Sequence, residues 1–135
     1  MARKRILIVE DEAITAMDIC EMVQEFGYEP CGPVATGKAA VASALALRPD
    51  AILMDMTLKG RMNGMQAAEA IRAHHRCPII YLTGSSDQFR ADAAESTEPF
   101  AVVLKPINEE ELHAAIETAL HRSNMGGPVS ERAIG

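Results

Sequence analysis

The 135-residue sequence contains no tryptophan, and aromatic residues make up only 4% of it. Platforms on which nucleic-acid bases stack are therefore not expected. No apolar run approaches the ~18 residues of a membrane helix. Behind the basic start Arg3-Lys4-Arg5, the run Ile6 to Val9 is too short for a signal-peptide core. Both absences point to a cytoplasmic chain with no membrane partner. A basic excess is missing as well: 13 Lys and Arg face 19 Asp and Glu, a net charge of −6. That balance opposes nonspecific attraction to DNA, so no direct DNA binding is expected. Cysteines are few and scattered (Cys20, Cys31, Cys77), without a CxxC pair or a histidine at metal-ligand spacing. They read as buried thiols in a reducing compartment.

What is present suits one globular domain, with 48% hydrophobic and 24% charged residues. Ile6 to Val9 is a continuous apolar run that stops abruptly at Glu10-Asp11-Glu12, the pattern of a strand buried on both faces. Ala16, Ile19, Cys20, Val23 and Phe26 then recur at helical spacing, and Gly27 ends that helix. Tyr28 to Val34, with Pro30 and Pro33, reads as a strand at a sheet edge. Thr36 caps an alanine-rich helix ending at Arg48, before Pro49. Ala51 to Met54 is a second buried run, ending in Asp55. Asn63 and Gln66 form a capping-box pair for the next helix. Pro78 to Leu82 ends in Thr83-Gly84, and Ser85 with Gln88 signals a short helix. Phe100 to Leu104 ends in Lys105-Pro106, and Asn108 with Glu111 opens the last helix. From Arg122 to Gly135 no periodicity remains, which sets a domain at 1–121 and a tail or linker at 122–135.

Five strand–helix units predict a doubly wound parallel sheet with helices on both faces. In such sheets the functional groups gather at the carboxyl ends of the strands. Four of the five ends carry a polar residue directly after an apolar run: Glu10-Asp11, Asp55, Thr83 and Lys105. Alone, each reads as a helix cap, a strand residue or a solvated turn. Together they describe one pocket. Three carboxylates there require a cation, and a hard ion that keeps several waters, Mg2+, suits them. Lys105 and Thr83 suit an anionic group beside the metal, and a carboxylate can attack phosphorus to give an aspartyl phosphate.

From about Arg3 to His121 the chain resembles the receiver domain of bacterial two-component response regulators. The matching motifs are Ile-Leu-Ile-Val-Glu10-Asp11-Glu12, Ile-Leu-Met-Asp55, Tyr-Leu-Thr83-Gly84 and Val-Leu-Lys105-Pro106. The resemblance implies a flavodoxin-like (βα)5 fold with strand order 2-1-3-4-5. It implies phosphotransfer to Asp55 from a sensor histidine kinase or a histidine phosphotransfer protein. It implies Mg2+ held by Glu10, Asp11, Asp55 and the backbone carbonyl of Thr57, with Thr83 and Lys105 on the phosphoryl oxygens. Such a protein modifies itself and is not an enzyme acting on an external substrate.

Two departures from the family pattern stand out. Val102 occupies the place of the aromatic residue that usually precedes the lysine by three, with Phe100 on the same strand face. The loop after Asp55, from Met56 to Gly64, lacks the common proline and is one residue longer than in many members. It resembles receivers attached to or partnered with sensor kinases. Only 14 residues follow His121, too few for a DNA-binding or catalytic domain, so a stand-alone receiver is expected. Its output would pass through the face formed by the fourth helix (beginning near Asp87), the fifth strand and the fifth helix. The alternative is a phosphate shuttle or sink that docks a histidine phosphotransfer bundle beside the first helix.

Two other readings compete. Gly32-Pro-Val-Ala-Thr-Gly37-Lys38-Ala39 nearly matches a nucleotide-binding P-loop. It has alanine where the Mg2+-ligating hydroxyl belongs, and Pro33 removes a backbone donor. A flavin carrier would need glycines and hydroxyls where Glu10-Asp11-Glu12 stands. His74 and His75 read as solvated surface, and Glu109 to Glu111 as an acidic first turn favoured by the helix dipole.

Overall fold

The computed structural model describes residues 3–58, 60–84 and 101–124. Five strands, β1 (Arg5–Val9), β2 (Glu29–Val34), β3 (Ala51–Asp55), β4 (Ile79–Thr83) and β5 (Ala101–Leu104), form one parallel sheet. Their order is β2-β1-β3-β4-β5, the flavodoxin-like arrangement. The described helices are α1 (Ala13–Glu25), α2 (Gly37–Leu47), α3 (Gly64–Arg72) and the last helix, α4 (Glu109–Asn124).

The unbroken apolar runs follow from the two-sided burial of the central strands. Side chains alternate across a strand, so Ile6 and Ile8 enter the layer under α1 and α4, joined by Leu53, Ile80, Leu82 and Val103. Leu7 and Val9 enter the opposite layer under α2 and α3, with Ile52, Met54 and Tyr81. Ile19, Val23, Leu112 and Ile116 close the first layer, and Ala40, Ala44, Ala67 and Ala68 the second. Each fully buried large aliphatic side chain contributes about 1.5–3 kcal/mol, so this double layer supplies the main driving force.

Local signals set the element ends. The Thr36 hydroxyl accepts the Ala39 N–H at 3.0 Å. Asn63 and Gln66 form both halves of a capping box, each bond 2.9 Å. Asn108 accepts the Glu111 N–H at 2.9 Å. Gly27, at φ +100°, turns the chain out of α1. β2 lies at the sheet edge, where Pro30 and Pro33 cost no ladder bond on the outer side.

Three expectations meet a different outcome or none. The helical backbone of α4 continues to Asn124, three residues past His121. Apolar periodicity marks only the packed part of a helix, whereas each added turn still gains backbone hydrogen bonds. The three cysteines are free and half-buried rather than fully enclosed, because Cys20 and Cys77 pack at the margins of the core layers and Cys31 lies on the edge strand. The Ser85–Gln88 helix, Phe100 and the tail from Met125 onward lie outside the described residues. Among the described residues, no helix is long and apolar enough to cross a membrane.

Candidate functional site

Register alone brings the acidic residues together. β1 and β3 pair with Val9 opposite Met54, so one step further Glu10 stands beside Asp55. β3 pairs with β4 through Asp55 opposite Leu82, and β4 with β5 through Thr83 opposite Leu104. Lys105 follows Leu104 directly, and its N–H donates to the Thr83 carbonyl at 2.8 Å. The strand ends thus frame a cleft of about 440 Å³ lined by Glu10, Asp11, Glu12, Ala13, Asp55, Thr57 and Lys105. A larger, shallower depression of about 650 Å³, bordered by Lys4, Tyr28, His121 and Arg122, lies at the opposite end of the sheet. The smaller cleft is the candidate site, because only there do the acidic groups converge.

Glu10 and Asp55 are almost completely buried, at 3% and 1% exposure. Carboxylate oxygens of Glu10, Asp11 and Asp55 all lie within 4.8 Å of one another. Two unit charges at such a distance repel by roughly 3 kcal/mol at an effective dielectric near 20, so the cluster demands compensation. Lys105 supplies part of it: its Nζ stands 3.0 Å from Glu10 Oε1 and 3.3 Å from Asp55 Oδ1. Burial pushes the Glu10 carboxyl above 4.5, and the Lys105 hydrogen bond only partly offsets that shift. For the Lys105 ammonium, burial works to lower the value. The bond to Glu10 and the charge of Asp55 outweigh it and hold the group above 10.5.

Asp55 is held asymmetrically. The N–H and hydroxyl of Thr57 both donate to Oδ1, at 3.0 and 3.1 Å, and Lys105 reaches the same oxygen. Oδ2 is buried and has no hydrogen-bond partner among the described residues. A buried carboxylate oxygen left in this state costs free energy unless something binds it. Three clustered carboxylates, one of them carrying this orphaned oxygen, make a donor set that fits a hard divalent cation. Glu10, Asp11 and Asp55 are the groups that would hold it, and Thr57 lines the same cleft.

A family model of the response regulator receiver domain matches residues 6–117. The chain belongs to that family. Among curated proteins, the receiver is 37% identical over 119 residues to the transcriptional regulatory protein PdtaR of Mycobacterium tuberculosis, covering 88% of this chain and 58% of that protein. The chain therefore spans little more than half the length of this curated relative. Among solved structures, it is similar to the receiver domain of the sensor histidine kinase PA1611 from Pseudomonas aeruginosa PAO1. There the TM-score is 0.78 at 33% identity, covering 89% of this chain and 99% of that one. That structure has a magnesium ion coordinated in its active-site cleft. The signal receiver domain of a modulated diguanylate cyclase from Desulfovibrio desulfuricans G20 gives a TM-score of 0.81 at 34% identity, covering 90% and 96%.

Of the residues named from sequence, Glu10, Asp11, Asp55, Thr57 and Lys105 all line the receiver's cleft. Thr83 ends β4 buried at 1% exposure, and it is not among the lining residues. Ala13 was not singled out from sequence, since a lone alanine at a helix start carries no signal. Nor was the role of Gly64, whose Cβ would stand 2.4 Å from the Asp55 carbonyl oxygen. The near-match to a P-loop takes another form: Gly32 to Val34 belong to edge strand β2, and Thr36 already occupies the Ala39 N–H. A phosphate would need that donor.

Proposed function

We propose that this receiver accepts a phosphoryl group on Asp55 in a Mg2+-dependent transfer from a phosphohistidine. The observation that carries this reading is the buried Asp55 carboxylate, with Oδ1 fixed by Lys105 and Thr57 and Oδ2 without a hydrogen-bond partner among the described residues. An Asp55 oxygen forms a bond to phosphorus as the P–N bond of the donor breaks. The electron pair leaves with the imidazole nitrogen, which takes a proton from solvent. Mg2+, when bound, neutralises charge on the phosphoryl oxygens. Lys105 pairs with the same oxygens, exchanging its carboxylate partners for them, and Thr83 contributes its hydroxyl. The chemistry is self-modification followed by slow hydrolysis, with no external substrate.

The donor is a sensor histidine kinase or a histidine phosphotransfer protein. Its approach is favoured by Ile14 and Met17 on the first turns of α1, 73% and 65% exposed and next to the cleft-lining Ala13. They stand three apart on one helix face and suit the apolar side of a helical bundle. The same feature supports the second reading, a shuttle that passes phosphate onward to such a bundle. Output runs through the face of β5 and α4, where Val102 and Leu104 are 40% and 43% exposed; the helix expected near Asp87, assigned to the same face, lies outside the described residues. The net charge of −6 favours a protein partner over DNA.

Incubation with Mg2+ and acetyl phosphate is expected to add one phosphoryl group, read by intact mass. Asp55→Asn or EDTA removes the gain. Labelling that survives either change contradicts the assignment. For the output face, beryllofluoride is expected to alter hydrogen exchange between Thr83 and Glu98; changes confined to the Asp55 loop and α1 favour the shuttle.

A further inference from the structure

The loop between β3 and α3 carries Thr57, which lines the cleft and donates its N–H and hydroxyl to Asp55 Oδ1, so the loop's position bears on the acidic cluster. At its start, Met56 donates its N–H to the Leu82 carbonyl at 2.9 Å. Met56 and Leu58 bury their side chains in the layer under α2 and α3. At its end, Gly64 lies directly on the Asp55–Met56 peptide. Between these anchors the loop touches a third element. Met62 rests on Gly37, the first residue of α2.

The contact is too close for any side chain at position 37. A Cβ there would stand 2.8 Å from both Met62 Cγ and the Met62 carbonyl oxygen, and 2.9 Å from Met62 Cβ. A rotamer change could move Cγ but not the carbonyl, so an added methyl must displace the loop backbone itself. The glycine is not serving a left-handed turn, since the positive-φ glycines are Gly27, Gly32 and Gly60. Alanine would favour a helix by up to about 1 kcal/mol over glycine, so local propensity argues against the residue found here. Close approach of the loop is the reason that remains. The glycine that makes Gly32–Lys38 imitate a phosphate-binding motif is thereby accounted for.

We infer that Gly37 and Met62 form a seat through which α2 positions the Asp55 loop for cation binding, with Gly37 as the positioning residue. This inference rests on the phosphoacceptor reading above. The test measures Mg2+ affinity by titration calorimetry, and backbone amide shifts without Mg2+, on the full chain. Gly37→Ala is expected to weaken Mg2+ binding by about tenfold, the usual scale for residues that orient ligands, and to shift the Thr57 and Met62 amides in the metal-free protein. Met62→Gly removes the two side-chain contacts and keeps the carbonyl one, so Gly37→Ala is expected to cost less, but not nothing, when added to it. Thr36→Ala, which loses the α2 cap without entering the seat, is expected to lower the melting temperature and leave Mg2+ affinity unchanged. Should Gly37→Ala fail to fold, Met62→Ala decides alone, with weaker Mg2+ binding expected at unchanged helix content. Unchanged Mg2+ affinity in the decisive variant overturns the seat and leaves the phosphoacceptor reading standing. An equal loss in Thr36→Ala also overturns it, by reducing the effect to α2 stability. A wild-type protein that binds no Mg2+ overturns both readings.

Discussion

Asp50 and Asp55 bracket the same strand, β3, and their fates differ completely. Asp50 stands before the first residue, at the amino end of the sheet. Its Oδ2 accepts the Arg5 N–H at 2.8 Å, and its own N–H donates to the Arg5 carbonyl at 2.8 Å. It ties β3 to β1 and is half-exposed. Asp55 closes the strand at the other end, 1% exposed, crowded by Glu10 and Asp11 and with one oxygen lacking a hydrogen-bond partner among the described residues. The amino end is a place of completed contacts, including His75 against the Pro49 carbonyl at 2.9 Å. At the carboxyl end, charge is buried without full compensation, and that unfinished electrostatics is what a cation and a phosphoryl group can use.

The sharpest way to break this comparison is to neutralise each aspartate and add Mg2+. At a hundred times its dissociation constant, a ligand bound only by the folded state stabilises it by about 2.7 kcal/mol. That gain is expected in wild type and in Asp50→Asn, and most of it is lost in Asp55→Asn, as read by chemical denaturation with and without Mg2+. A matching gain in Asp55→Asn would place the cation elsewhere.

Removing the compensating cation is next in size. Lys105→Ala leaves Glu10 and Asp55 buried without their shared partner, and a loss of about 1–3 kcal/mol at neutral pH is expected from urea unfolding. The same variant is expected to retain some labelling by acetyl phosphate while losing the coupled conformational change.

Acidification sharpens the contrast further. Glu10 holds its proton to a higher pH than an ordinary glutamate, whose value is 4.5. Mg2+ needs the ionised carboxylate, so its affinity is full above that raised value and falls as pH drops through it, by up to about tenfold per unit. The sign reverses for the metal-free fold. There the native state keeps a proton that the unfolded chain has lost, so this contribution is present below 4.5 and is lost as pH rises through the raised value. Calorimetric Mg2+ titrations and melting curves across that window check both directions.

The smallest effect belongs to the structural aspartate. Asp50→Ala removes one hydrogen bond to the Arg5 amide, worth about 1 kcal/mol, and is expected to leave phosphoryl uptake intact.

Much of this was legible in the sequence because the informative features are local. The run Ile6 to Val9 could be read as a two-sided strand since every residue in it is buried. Asn63-Gln66 and Thr36 announced helix starts through side chains that bond three residues on. The site residues were found because a polar group ending each apolar run repeats from strand to strand. What the sequence concealed depends on partners brought in by the fold. Nothing about Lys105 alone says that it will bridge Glu10 and Asp55, 95 and 50 positions away. Gly37 and Gly64 look like helix-start glycines until Met62 and the Asp55 carbonyl are seen against them. Thr83 was placed beside an anionic group from its position at a strand end, and in this structure it is buried and not among the residues lining the cleft.

The central claim is that the unfinished end of β3 carries the phosphoryl group, and locating the modified atom tests it most directly. After incubation with acetyl phosphate and Mg2+, borohydride reduces an aspartyl phosphate to homoserine, which peptide mass mapping can place on the chain. The account predicts conversion at the position of Asp55 alone, none in the presence of EDTA, and none at Asp50 or Asp11. Conversion at either of those residues, or unchanged conversion in EDTA, would contradict it.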